Sequence, residues 1–149
     1  MNDEQPGNDH ERWLVEAAIA LLAGSRWLTW LSIVFAGVCA FALAATDLQG
    51  TLPRLAVSTV LALGAVAAYL ALRTTMDRVF FQALRQPPFV PGSRLAAFDA
   101  ALRTLRWLHV EKAGRGLAER VAGAKKIVRA QGIVLLLQAV LLAVVPWTR

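Results

Sequence analysis

The side chains best equipped for chemistry in this sequence are few and scattered. His10 and His109 are its two histidines, and neither has a second His, a Cys or a carboxylate at metal-ligand spacing. Ser25, Ser32, Ser58 and Ser93 lack a G-x-S-x-G elbow and a neighbouring base. Gly114, Arg115 and Gly116 have the wrong continuation for a phosphate-cradling loop. Glu111 and Glu119 read as solvated helix charges rather than as an acid and base pair. Cys39 is the single cysteine, so no intramolecular disulfide can form, and its apolar neighbours suit a small filler better than a thiolate. The sequence therefore implies no catalytic residue, no metal and no cofactor, and the chain is expected not to be an enzyme. One polar side chain stands out: Gln138 is the only strong hydrogen-bonding group deep inside an apolar stretch. There it can make an interhelical contact worth about 0.6–2 kcal/mol.

Those residues are set among three apolar stretches, at 27–45, 55–72 and 127–147. The first two run 19 and 18 residues without a charge. At ~1.5 Å per residue each covers ~27–29 Å, close to the ~30 Å hydrocarbon thickness of a bilayer. The third reaches that length if its helix begins near Ile127 and Arg129 turns its guanidinium back to the headgroups. None of the three contains a histidine that could hold haem. With 57% apolar residues concentrated in blocks, the chain reads as an all-α integral membrane protein with three transmembrane helices.

Charge asymmetry gives these spans a direction. Residues 1–26 carry five acids and two arginines, the 46–54 turn holds only Asp47 and Arg54, and residues 73–131 hold twelve bases against four acids. Lysine and arginine excess marks the cytosolic side. The expected topology is multi-pass in a bacterial inner membrane, with a cytoplasmic N-terminus and a periplasmic C-terminus. The Ala42–Ala44 triplet resembles a signal-cleavage site, but an acidic leader of 26 residues and a 19-residue apolar run do not suit a signal peptide.

Four regions follow. Residues 1–26 form an acidic leader, disordered over 1–10 and then an interfacial amphipathic helix with a stripe of Trp13, Leu14, Ala17, Ala18, Leu21 and Leu22, ending at Gly24 and Ser25. Residues 27–72 form a transmembrane hairpin, in which Ala36, Ala40 and Ala44 can approach Gly64 and Ala68. Residues 73–126 form a basic amphipathic cytosolic segment. In it the second helix continues to about Arg85, QPPFVPG interrupts, and a new helix starts after Ser93 as N-cap. Leu95, Phe98, Leu102, Leu105 and Leu108 then share one face, a candidate surface for a partner. Residues 127–149 form the third span and a short external tail. Trp13, Trp27, Trp30, Trp107, Arg129 and Trp147 are the expected membrane-interface residues.

The bases have an immediate physical partner in anionic headgroups, each attracted by about 1 kcal/mol. Topology accounts for the charge, so nucleic acid is not expected, and no small-molecule substrate is evident. The favoured role is a non-enzymatic accessory or scaffold subunit of a membrane complex, working through a membrane-protein partner or self-association. The alternative is an oligomeric pore-forming, holin-like or transport-associated protein.

Overall fold

A computed structural model of the chain describes residues 6–45, 51–86, 91–104 and 115–144, all of them helical except 86, 115 and 116. The elements are α1 (Pro6–Ala45), α2 (Thr51–Arg85), α3 (Pro91–Thr104) and α4 (Leu117–Val144). Helices α1, α2 and α4 are long and apolar enough to cross a membrane, and each packs on the other two as a three-helix bundle. Their 40, 35 and 28 residues make rods of ~60, ~52 and ~42 Å, all longer than the ~30 Å of hydrocarbon they could occupy. Each rod therefore continues past its charge-free stretch.

The leader differs from its expectation. No break occurs at Gly24 and Ser25; α1 runs unbroken from Pro6 to Ala45. A single glycine weakens a helix by only about 1 kcal/mol relative to alanine, and the Ser25 hydroxyl donates to its own Leu22 carbonyl at 2.7 Å rather than terminating the helix. Nor does the expected stripe form one face. Val15, Ala18 and Leu22 are buried, while Trp13, Ala17 and Leu21 are exposed. The segment before Trp27 is thus the lower half of a bundle helix, not a separate helix ending before the span.

One seam explains the packing of α1 and α2. The inward positions of α1 include 15, 18, 22, 25, 32, 39 and 42, and those of α2 include 57, 60, 67, 74, 81 and 84, with Phe80 buried beside Phe81. Both sets fall on alternating steps of three and four, the spacing by which long helices interlock with a slight left-handed supercoil. Helix α4 keeps the same period, burying Leu117, Ala124, Gln131 and Gln138 at intervals of seven. The antiparallel register of α1 and α2 brings Ala36 against Gly64 and Glu16 against Arg85. A Cβ placed on Gly64 would stand 3.0 Å from that of Ala36, so glycine is what permits this approach. The expected contacts at Ala40, Ala44 and Ala68 do not form, and all three face outward. A row of i, i+4 positions drifts off a seam that needs alternating threes and fours, so Cys39, Ala42 and Ala67 are buried instead.

At the end of the bundle that carries the charges, Val15, Ala18, Leu22, Phe80, Phe81, Leu84, Leu117 and Ala124 form a core. Phe80 and Phe81 meet edge to face with centroids 5.3 Å apart. Helix α3 starts at Pro91 rather than after Ser93, because proline suits the first turn, where its missing N–H has no intrahelical use. Leu95 then packs on the core, and Arg94 Nη1 donates to the Ala83 carbonyl at 2.6 Å, closing the corner between α2 and α3.

Candidate functional site

Three polar groupings lie inside this bundle. Deepest within the apolar stretches is Gln138, fully buried. The Ser32 hydroxyl donates to its Oε1 at 2.6 Å, and its Nε2 donates to the Val60 carbonyl at 3.2 Å. One side chain on α4 thereby ties α1 to α2, and Gly64, one turn from Val60, leaves space beside the amide nitrogen. Both ends of the amide are committed to neighbouring helices, so the group fastens the bundle and presents nothing to a permeating solute. Gln138→Leu keeps the volume and loses both bonds. We expect it to lower stability by about 0.6–2 kcal/mol, read as an earlier unfolding midpoint in mixed micelles; an unchanged midpoint would show that the two bonds contribute nothing.

The second grouping centres on Arg120 at the charged end. Its Nη2 meets Asp99 Oδ1 at 2.5 Å, with both side chains largely buried. Its Nε donates to the Arg115 carbonyl at 3.2 Å, and its guanidinium lies 5.3 Å from the Phe80 ring centroid. Asp77 belongs to the same neighbourhood: burial pushes its carboxyl above the usual range, against the pull of Arg73 and Arg120. These contacts join α2, α3 and the start of α4. By contrast, the Glu16–Arg85 pair at 2.8 Å is exposed, and a surface pair of that kind contributes only about 0–1 kcal/mol.

Between the two lies a cavity of about 350 Å³. Leu22, Ser25, Arg26, Thr29, Trp30 and Ile33 of α1 form one wall, and Ala71, Thr74, Thr75 and Arg78 of α2 form the other. Its origin is in the sequence of the seam. Where Val15 and Leu22 fill the α1 face lower down, Ser25 and Thr29 stand here, opposed by Ala71 and Thr74, and short side chains leave a gap. The four hydroxyls donate to carbonyls of their own helices, Ser25 to Leu22, Thr29 to Ser25, and Thr74 and Thr75 both to Ala71. Arg78 occupies a seam position, and its Nε is buried without a hydrogen-bond partner among the described residues. The amide of Gln131, one heptad below Gln138, is likewise buried and unpartnered.

Of the residues expected at a membrane interface, Trp13, Trp27 and Trp30 are exposed, and so is Arg129; Trp107 and Trp147 lie outside the described residues. Of the expected partner face, Leu95 turns partly into the bundle's own core. Phe98 and Leu102 belong to α3 without a described side chain, and Leu105 and Leu108 lie outside the described residues. Sequence reasoning singled out Gln138 correctly as a buried polar group, but it did not find Arg78 or the Asp99–Arg120 pair. The available signal for Arg78 was its place on the three-four spacing of α2. Among the described residues, no three His, Cys, Asp or Glu side chains converge as a metal ion would need. Compared with protein families, with curated proteins and with solved structures, the chain matches none.

Proposed function

We propose that this chain is a multi-pass inner-membrane protein, with N-terminus cytoplasmic and C-terminus periplasmic, that serves as a non-enzymatic accessory or scaffold subunit. It holds a basic helical platform at the cytosolic face for a membrane-protein partner. The observation that carries this reading is the continuity of the seam. The spacing that packs Ser32 and Cys39 within the apolar stretch of α1 continues without a break to Val15, outside it. A platform built this way is stiffly coupled to its membrane anchor, as scaffolding requires. It also leaves apolar side chains unburied beyond the charge-free stretches, with Trp13, Met76 and Val79 all exposed. Large apolar groups outside a bilayer and outside the protein's own core are what a partner surface covers.

Crosslinking the protein in its native membrane and identifying the neighbours tests the reading. A stable complex with a different membrane protein is the expected result. A closed ring of self-contacts accompanied by dye leakage from reconstituted vesicles would overturn it in favour of a pore, and a monomer that turns over a substrate would overturn it in favour of an enzyme.

A further inference from the structure

The cavity between α1 and α2 differs in character from one end to the other. On the side of the charge-free stretches its walls are Ile33 and Trp30; on the other side they are Arg26 from one helix and Arg78 from the other. Among the described residues, no carboxylate lines it. Arg26 immediately precedes the apolar stretch of α1, and Arg78 follows that of α2 by less than two turns. Two guanidiniums therefore stand at headgroup depth above an apolar floor.

From this we infer that the cavity binds the phosphate of an anionic phospholipid whose headgroup carries free hydroxyls, drawn from the leaflet next to the charged end of the bundle. The inference rests on the membrane-spanning reading above and extends it to a defined ligand. The buried Arg78 Nε, without a hydrogen-bond partner among the described residues, is the strongest support. A guanidinium N–H out of water and without an acceptor is costly, and phosphate oxygens fit the planar fork of arginine. The wall hydroxyls supply the complementary half. Ser25, Thr29, Thr74 and Thr75 spend their protons on helix carbonyls, so they offer lone pairs, which a glycerol headgroup's hydroxyls can meet as donors. Arg26, Trp30 and Thr75 are exposed, so the mouth opens on the flank of the bundle, where lipid lies. A volume of about 350 Å³ is within the range of small-molecule sites, roughly 300–1,000 Å³.

The test uses the full-length protein in phosphatidylcholine nanodiscs with increasing phosphatidylglycerol, and in micelles with inorganic phosphate alone, reading thermal midpoints and lipid retained in native mass spectra. Phosphatidylglycerol is expected to raise the midpoint saturably and to remain bound. Arg78→Gln weakens that apparent affinity on the order of tenfold to a hundredfold, whereas Arg115→Gln, which removes one positive charge elsewhere, leaves it unchanged. Should Arg78→Gln fail to fold, Ala71→Leu, which fills the cavity and keeps every charge, is expected to abolish lipid retention. Equal responses of the wild type, Arg78→Gln and Ala71→Leu would reduce the effect to general surface attraction and overturn the proposal. An equal midpoint rise with inorganic phosphate alone would overturn the lipid assignment. A reporter fused after Arg149 reads the orientation separately: a reversed topology would move the site to the opposite leaflet without removing its dependence on Arg78.

Discussion

Asp99→Ala is expected to destabilise the bundle by roughly 3–5 kcal/mol, the cost of breaking a buried ion pair by removing one member. The arginine that loses this contact has side-chain exposure of 14%, against 4% for the aspartate. Arg120 cannot swing out to water without giving up its bond to the Arg115 carbonyl and its place over Phe80. Asp77 is near enough to share the charge but is already disfavoured as a carboxylate by its own burial, so it compensates poorly. The measurement is the unfolding midpoint in a graded series of denaturing detergent. Asp99→Asn keeps a hydrogen-bond acceptor and should fall between wild type and Asp99→Ala. Combining Asp99→Leu with Arg120→Met should recover most of the loss, because replacing both charges by apolar groups of similar size removes the desolvation penalty along with the attraction. If the double variant is no more stable than Asp99→Ala, the loss came from packing and not from the broken ion pair.

How much of this arrangement can be read from the sequence depends on the solvent around each part. Two helix boundaries were legible: α2 ends at Arg85 and α4 begins at Leu117, because prolines after 86 and glycines at 114 and 116 punctuate the chain. The inward faces were not. In water the core of a helix is its apolar stripe, but in lipid the tails are as apolar as leucine, and the interior is marked by small and polar residues. The α1 seam through the span accordingly uses Ser32, Cys39 and Ala42, while Leu31, Val34, Val38 and Phe41 are exposed. Searching for an apolar stripe therefore selects the lipid-facing side. The leader misled for a related reason: Trp13, Leu14, Ala17, Ala18, Leu21 and Leu22 suggested one apolar stripe, yet the three-four spacing buries Val15, Ala18 and Leu22. The cavity was hidden because its cause is the shortness of residues on two helices, Ser25 and Thr29 on one and Ala71 and Thr74 on the other, 42 or more positions apart in sequence. Their register is fixed only once Ala36 meets Gly64. Asp99 and Arg120 are likewise separated by 21 positions and by a loop outside the described residues.

The same distinction between solvents yields the second large effect. Phe81, 1% exposed, packs among Val15, Ala18, Leu22 and Leu84 at the charged end, which the proposed topology puts beyond the hydrocarbon. There the hydrophobic effect acts in full, so Phe81→Ala should cost about 3–5 kcal/mol through lost transfer energy and the cavity it leaves. A matched pair of smaller truncations tests the reason. Val15 and Val60 have the same side chain and are 1% and 0% exposed, but Val60 lies within a charge-free stretch. Val15→Ala should cost about 2 kcal/mol, mostly transfer from water, while Val60→Ala loses only packing against neighbours and should cost about half as much or less. Unfolding midpoints of the three variants in lipid nanodiscs would locate the boundary between water and lipid along the bundle. Equal losses at Val15 and Val60, together with a small loss at Phe81, would place the charged end inside the hydrocarbon. That result would remove the physical basis for a platform standing clear of the membrane.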